Sequence, residues 1–191
     1  MTASYATFEG VEQADVHVRP TVTEDVGPVA RLVERNFGST AANEATIRRV
    51  LAFNSEAIFT VLIARPAPVP LEVAGCYATL LLNSLGRDAL LANSFNGRDP
   101  DLKMLCAPTE QPVALYGWMA IAPGLNRWAR PMVDELMAGP RYEPLDFYSR
   151  GVTEAGIRAL TKLGCSFVDD GRASDSGRLM VKRAILHGRA A

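Results

Sequence analysis

The chain of 191 residues has few of the residue types that build disulfide or metal frameworks: three cysteines and two histidines. Cys76, Cys106 and Cys165 lie far apart and form no C-x-x-C pair, which excludes a recognisable disulfide framework or zinc site. They are expected to be small buried side chains. His17 and His187 have no acidic or cysteine partner at ligand spacing, so each is expected to be structural.

Excess charge and long apolar runs are also missing. The 20 Lys and Arg residues nearly balance the 21 Asp and Glu residues, which gives a net charge of −1 and no overall attraction to nucleic acid or anionic membrane. No stretch approaches the roughly 18 apolar residues of a membrane span, and the N-terminal stretch carries acids and no continuous apolar core. We therefore expect a cytoplasmic protein that binds neither nucleic acid nor membrane.

Several local catalytic motifs do not occur. The sequence has no G-x-S-x-G, G-x-x-x-x-G-K-[ST], G-x-G-x-x-G or H-E-x-x-H, so serine hydrolase, P-loop, Rossmann and zincin sites have no local support. Asp169, Asp170 and Gly171, with Asp175, lack the alternating ligand pattern and terminal Glu of a calcium loop. These residues are predicted to form a turn, and no metal site is expected.

What is present is enough apolar material for a core. Hydrophobic residues make up 48% of the chain, and a domain of this size can bury roughly 70% of the surface of its unfolded chain. We expect one domain over residues 1–191. Apolar periodicity and turn residues predict strands and helices in the order β-α-α-β-β-insertion-β-α-β-α-β-β. The strands are predicted at 16–20, 57–64, 72–82, 113–122, 145–151, 165–168 and 178–184, and the helices at 25–37, 43–53, 131–138 and 153–163.

Three helix starts have a predicted N-cap, and the fourth has a predicted first residue. Asp25 is the expected N-cap of the first helix, and either Thr40 or Asn43 that of the second. Pro131 is placed at the first position of the third helix, where its missing amide would be unpaired anyway. Thr153 is the expected cap of the last helix.

The stretch 83–111 is too long for an ordinary hairpin loop. Connections longer than about 12–15 residues usually have structure or a function of their own. Residues 85–93 are predicted to form a short helix, and residues 96–100, Asn-Gly-Arg-Asp-Pro, to form a turn. We interpret this insertion as a cap or a dimer contact, and a homodimer through it or through an exposed strand edge is one candidate assembly.

The element order and four local phrases resemble the GNAT N-acetyltransferase superfamily over residues 16–184. The phrases are Val18–Asp25, Val73–Gly75, Met119–Pro123 and Val152–Gly164, which are similar to the opening strand and helix cap, the start of the third strand, the end of the fourth strand, and the late helix. The resemblance implies an α/β (α+β) fold. It has a mixed, mostly antiparallel sheet flanked by helices and splayed between the fourth and fifth strands.

The resemblance also implies acetyl-CoA as a substrate, bound between the fourth and fifth strands, with its pyrophosphate on a [QR]-x-x-G-x-[GA] turn. Here the matching stretch is Asn126–Pro131, which lacks the glycine and the small final residue. Arg127 and Arg130 are candidates to replace the backbone nest with side-chain charge. Trp128 is expected either to stack on a ligand or to pack against the following helix. The candidate cofactor contacts are Met119, Ala120, Ile121, Asn126, Arg127, Trp128, Ala129 and Arg130.

The general acid of the family also differs. Many relatives have a tyrosine where this chain has Leu160, so Tyr148 on the adjoining strand is the nearest candidate donor, and Tyr116 or Asp146 could assist a base. The usual alternative for all three is that of a packed strand side chain. Two hypotheses follow: an acetyl-CoA-dependent N-acetyltransferase for a small-molecule or protein amine, or a GNAT-like binding or regulatory module that has lost the transfer chemistry.

Overall fold

The computed structural model describes residues 12–65, 70–168 and 177–184. Apart from short 3-10 turns, these residues form seven strands and five helices. In chain order they are β1 (Val16–Pro20), α1 (Val26–Phe37), α2 (Glu44–Phe53), β2 (Ile58–Ile63), β3 (Glu72–Leu82), α3 (Ser84–Leu91), β4 (Ala114–Ile121), α4 (Asn126–Leu136), β5 (Phe147–Arg150), α5 (Glu154–Lys162), β6 (Ser166–Phe167) and β7 (Leu179–Lys182). The predicted order is confirmed.

The strands follow the order β1-β2-β3-β4-β5-β7-β6 in the sheet. Antiparallel pairing joins β1 to β2, β2 to β3, β5 to β7 and β6 to β7, whereas β4 and β5 are parallel. The β4–β5 register pairs Leu115 with Phe147 and Gly117 with Ser149, and β4 runs on to Ile121. The mixed, mostly antiparallel sheet with helices that the sequence predicted is thus confirmed.

Two compact units can be distinguished. The first contains the described residues up to Thr79 with Asn96–Leu102 and Met119–Met137, and the second contains Leu80–Phe95, Lys103–Trp118 and the described residues from Ala138. Strands β3 and β4 each include residues of both units. The one-domain organisation stays a prediction.

The core of the first unit combines alternate residues of β2 with a stripe of residues four positions apart at α4, namely Leu125, Ala129 and Val133. Phe59, Val61 and Ile63 alternate along β2 and lie in one cluster with the α4 stripe. All residues of β2 are buried, because β2 is an interior strand. The buried members of this cluster are Val16, Phe59, Val61, Ile63, Ala74, Tyr77, Ala122, Leu125, Ala129 and Val133.

Two of the predicted helix caps are confirmed. The Asn43 Oδ1 atom accepts a hydrogen bond from the Thr46 amide at 2.9 Å, which selects Asn43 over Thr40. The Thr153 Oγ1 atom accepts from the Gly156 amide at 3.0 Å. Both side chains therefore satisfy amides that the first helical turn leaves unpaired.

The predicted cap at Asp25 is wrong. Asp25 has helical backbone angles and no capping hydrogen bond, because a 3-10 turn precedes α1. Its buried carboxylate instead lies 2.8 Å from the Arg19 guanidinium and accepts hydrogen bonds from the Thr60 hydroxyl and the Val22 amide. The Thr60 hydroxyl also lies 2.8 Å from that of Thr21. Asp25 therefore joins β1, β2 and the turn before α1.

The predicted start of the third helix is also wrong. α4 begins at Asn126 and contains Pro131 in its interior. Leu125, Ala129 and Val133 follow each other at a spacing of four and are all buried in the core cluster, so their packing extends the helix toward its N-terminus. Pro131 lies on the exposed side and has no amide to donate to the carbonyl of Arg127. Tertiary packing has overridden the preference of proline for a first turn.

Replacing Pro131 with alanine is expected to stabilise the protein. An interior proline costs a helix about 3 kcal/mol relative to alanine, and the greater flexibility of the unfolded alanine chain offsets part of the gain. We expect a net gain of about 1–2 kcal/mol, or about 2–8 °C in the thermal midpoint. Pro123→Ala, in the turn before α4, is the control and should give no gain. An unchanged or lower midpoint for Pro131→Ala would contradict this account of α4.

The insertion has structure of its own: residues 83–95 and 103–111 belong to the second unit, and residues 96–102 belong to the first. The short helix predicted at 85–93 is confirmed as α3, Ser84–Leu91, and a 3-10 turn covers Leu102–Met104. Gly86 lies so close to the Met104 carbonyl that a β-carbon would collide with backbone. The role of the insertion as a cap or dimer contact stays a prediction. The prolines at 66 and 68, the turn at 169–171, Asp175 and His187 lie outside the described residues.

Within the part of the chain that the structure describes, no helix combines the length and the apolar composition that a membrane span needs.

Candidate functional site

The end of β4 and the start of α4 form the first group of predicted site residues, all in the first unit. Met119 and Ile121 are buried, whereas Ala120 is exposed between them. Gly75 on β3 makes this packing feasible, since a β-carbon there would lie 2.5 Å from the Ile121 carbonyl oxygen. Gly75, the glycine of the Val73–Gly75 phrase, is therefore required because a larger residue would collide with the β4 backbone.

The segment predicted to be a phosphate turn is the first part of α4. Ala129 is buried in the core cluster, and its assignment as a cofactor contact stays a prediction. Asn126 and Arg127 are exposed, and Trp128 and Arg130 are half-buried. Trp128 packs against the core cluster. The following helix, which it was predicted to pack against, is a continuation of its own helix α4. Sequence analysis missed that this stretch is helical because it assigned Pro131 to the first turn.

The two arginines of this segment differ in their partners. The Arg130 Nε atom lies 2.7 Å from Asp134, one turn later in the helix. The Arg127 guanidinium lies 3.8 Å from the centre of the Trp128 ring, which is a cation–π contact. Arg127 therefore presents the more accessible positive charge at the start of α4.

Tyr77 is a residue near this segment that sequence analysis missed. Its hydroxyl forms a short hydrogen bond with the Asn126 Oδ1 atom. Burial raises the pKa of Tyr77 to about 12, so the hydroxyl stays protonated and donates. Asn126 is thereby held with its carbonyl oxygen toward β3, which leaves its amide nitrogen as the remaining donor. Tyr77 follows Gly75 by two residues on β3, a spacing that could have indicated the same sheet face.

The second group of predicted residues lies in the second unit, on neighbouring strands. Tyr116 on β4 and Tyr148 on β5 are directly paired, and both are buried. Asp146 precedes Tyr148 by two residues, and the Tyr148 hydroxyl donates to its Oδ2 atom at 3.3 Å. The structure therefore brings the predicted pair Asp146 and Tyr148 together.

Arg183 completes this group and was not predicted. Its Nη1 atom lies 2.6 Å from the Asp146 Oδ2 atom and donates to the Tyr148 hydroxyl at 3.4 Å. The Ala184 amide donates to the other oxygen of Asp146 at 2.9 Å. Antiparallel pairing of β5 with β7 puts Arg183 opposite Asp146, a register that only a correct strand pairing could have revealed.

The environment separates the proton affinities of Asp146 and Tyr148. Burial raises the pKa of the Asp146 carboxyl, but hydrogen bonds from the Ala184 amide and Arg183 outweigh burial and hold that pKa below its ordinary value. Burial and the charge of Asp146 raise the pKa of Tyr148. Tyr148 is therefore a neutral hydroxyl donor at neutral pH, and Asp146 is ionised and a weak base.

We expect Asp146 to lower the free energy of unfolding as the solution becomes acidic. Because its pKa is lower in the folded protein than in the unfolded chain, its contribution is present above the ordinary carboxyl pKa and disappears as the pH falls through the folded value. We therefore expect Asp146→Asn to lose less stability than the wild type between about pH 5 and pH 3, measured by urea unfolding. Asp88→Asn, at an exposed position of α3, measures the effect of net charge alone. Equal acid slopes for all three proteins would contradict the role of Asp146.

Tyr116 has different partners. Its ring makes an edge contact with Phe95 at 5.4 Å between centroids, and burial raises its pKa while Arg150 lowers it. Arg150 also donates to the Gly177 carbonyl at 2.7 Å and to the Asn93 Oδ1 atom at 3.0 Å. Tyr116 is thus held by packing and by a structural arginine, and it does not join the Asp146 group.

The described residues offer no alternative metal or thiol chemistry. No group of three or more His, Cys, Asp or Glu side chains among them could hold a metal ion. All three cysteines are buried, as expected, and burial raises the pKa of Cys76 to about 12. His17 is exposed on β1.

Comparison with known proteins gives matches at the level of structure alone. No protein-family model matches the sequence, and no curated protein matches it significantly. Solved structures match over most of the chain. One is described as the GphF GNAT-like decarboxylase in complex with isobutyryl-CoA; it is 10% identical, with a TM-score of 0.58 over 88% of this chain and 100% of that chain.

A second match is NAA60 of Arabidopsis thaliana in complex with acetyl-CoA. It is 11% identical, with a TM-score of 0.57 over 88% of this chain and 99% of that chain. The same protein in complex with a bisubstrate analogue matches at 11% identity and a TM-score of 0.53, over 87% and 97% of the two chains. At these identities the likeness concerns architecture, and it agrees with the observed strand order and the parallel β4–β5 pair. The chain has the GNAT fold.

Proposed function

We propose that the protein is an acyl-CoA-dependent N-acyltransferase that uses acetyl-CoA and a small-molecule or protein amine. The observation that carries the proposal is the Tyr148 hydroxyl, buried, protonated and held by Asp146 and Arg183 on β5 of a GNAT fold. The two matched structures with the higher TM-scores are described as complexes with isobutyryl-CoA and acetyl-CoA, which supports an acyl-CoA substrate.

In the proposed reaction, the neutral amine nitrogen attacks the thioester carbonyl carbon and forms the amide bond as the carbon–sulfur bond breaks. The amine loses a proton to water, since Asp146 is a weak base in this environment. The departing thiolate takes the proton of the Tyr148 hydroxyl, and the tyrosinate regains a proton from solvent. The products are the amide and free CoA, so atoms and charge balance.

In the first unit, the start of α4 supplies the groups we assign to the phosphates. Arg127 offers an exposed guanidinium, and Asn126 offers the amide nitrogen that Tyr77 leaves unused. The first-turn amides of the helix add partial positive charge. Met119, Ala120 and Ile121 stay candidate contacts on β4, whereas Arg130 is assigned to its ion pair with Asp134.

A second candidate function is a binding or regulatory module without transfer chemistry. Three features favour it, because each argues against a phosphate contact that the resemblance implies. They are the missing glycine, the burial of Ala129 and the ion pair of Arg130 with Asp134. It retains the fold and predicts that Tyr148 is dispensable.

Thiol release separates the two functions. The purified protein is incubated with acetyl-CoA and a panel of small amines, amino acids and peptides with free N-termini, and free CoA is measured with a thiol reagent. The transferase should release CoA with at least one acceptor and increase that acceptor's mass by one acetyl group. Acetyl-CoA binding without thiol release or acetylated product across the panel would favour the module.

A further inference from the structure

An open cleft in the first unit is lined by none of the residues assigned to acyl transfer. Its volume is about 610 Å³, which is within the range of roughly 300–1,000 Å³ that is usual for small-molecule sites. Its walls come from the start of α2 and from the turn that follows α3. The lining residues are Asn43, Ala45, Thr46, Arg49, Asn96, Arg98 and Asp99.

Internal hydrogen bonds hold both walls in place. The Asp99 carboxylate accepts from the Thr46 hydroxyl at 3.2 Å and forms a short ion pair with Arg49. The Arg49 Nη2 atom also donates to the Pro100 carbonyl at 3.2 Å. The Asn96 Oδ1 atom accepts from the Asp99 amide at 3.3 Å, which fixes the turn. The cleft is therefore shaped before any ligand arrives.

The lining carries an excess of positive charge. Arg49 and Arg98 are its cations, and Asp99, its one acid, is bound to Arg49. The hydrogen bond from Arg49 lowers the pKa of Asp99, so that this pair stays ionised at neutral pH. Arg98 is exposed, and its guanidinium has no ion-pair partner within residues 12–65, 70–168 and 177–184. The Arg98 guanidinium is thus available to bind a ligand.

We infer that this cleft binds the anionic group of a small molecule, a carboxylate or a phosphate. Arg98 supplies the principal positive charge, and Arg49, already held by Asp99, supplies a second donor group on the α2 wall of the cleft. A guanidinium offers a planar fork of donors that matches either group. The Asn43 and Asn96 side chains can add polar contacts to the uncharged part of the ligand. This inference does not depend on acyl transfer.

Titration followed by amide NMR tests the site. The probes are inorganic phosphate and succinate, each added at constant ionic strength set with sodium chloride. We expect saturable shifts of the amides of residues 43–49 and 96–99 with at least one probe. The probe that binds more tightly identifies the anionic group.

Two variants make the result specific. Arg98→Gln should weaken binding about tenfold, since it removes one charge-assisted contact. The fold should be kept because Arg98 makes no ion pair with the residues that the structure describes. Arg48→Gln is the control, because Arg48 lies on α2 next to the lining residue Arg49, pairs with Glu44 and does not line the cleft. It should change affinity less than about twofold. No saturable shifts with either probe, or equal losses in both variants, would overturn the inference.

Discussion

Replacing Tyr148 with phenylalanine is expected to lower kcat by about 10²–10⁴-fold, the usual contribution of a positioned general acid. The substitution removes only the hydroxyl, which donates to Asp146 and accepts from Arg183. The KM for acetyl-CoA should change little, because the proton is transferred as the thiolate leaves and not when the thioester binds. The measurement is steady-state CoA release with an acceptor that supports turnover.

Tyr142→Phe is the matched control for this experiment. Tyr142 is a half-buried tyrosine in the same unit and, like Tyr148, lies beside an arginine, with Arg141 5.6 Å from its ring. Its kcat should stay within about twofold of the wild type. Thermal midpoints of both variants show whether the fold is kept. A Tyr148→Phe enzyme with wild-type kcat would contradict the assignment of Tyr148 as the acid.

Replacing Asp25 with alanine should cause the largest loss of stability. The carboxylate is buried and serves Arg19, Thr60 and the Val22 amide, so its removal leaves several donors without their acceptor. The Arg19 side chain is 39% exposed and can regain water, which limits the loss. We expect about 2–4 kcal/mol less free energy of unfolding, measured by urea denaturation.

Asp88→Ala is the control for removing a carboxylate from the surface. Its side chain is 63% exposed and pairs with the adjacent Arg87, so its loss should cost less than about 0.5 kcal/mol. If Asp25→Ala and Asp88→Ala destabilise the protein equally, the network around Asp25 contributes no more than an exposed ion pair.

The sequence predicted the strands and most helices because their patterns are local. The apolar residues of β2 and the cap residues Asn43 and Thr153 act within a few positions of the chain, so their spacing was sufficient. Asp25 shows the limit of such reasoning. Its sequence position suggests a cap, but its partners lie on β1 and β2 and could be found only once those strands were paired.

α4 also shows that a local pattern can be overridden by packing between distant parts of the chain. Proline preference favoured a start at Pro131, whereas burial of Leu125, Ala129 and Val133 determined the observed start at Asn126. The candidate site likewise combines residues that a local pattern indicates with one that only strand pairing reveals. Tyr148 and Asp146 were found from one strand, but Arg183 comes from β7 and required the β5–β7 register.

Thermal unfolding with acetyl-CoA tests the proposed function most directly, because it needs no acceptor. A ligand at about 100 times its Kd adds about 2.7 kcal/mol, which should raise the midpoint by about 5–10 °C for a protein of this size. Free CoA should also stabilise the protein, and ATP, an adenine nucleotide without the thioester arm, should do so much less. Arg127→Ala should reduce the shift, whereas Arg158→Ala, an exposed arginine on α5, should not. No shift at millimolar acetyl-CoA, or an equal shift with ATP, would contradict the proposal that this GNAT fold uses acyl-CoA.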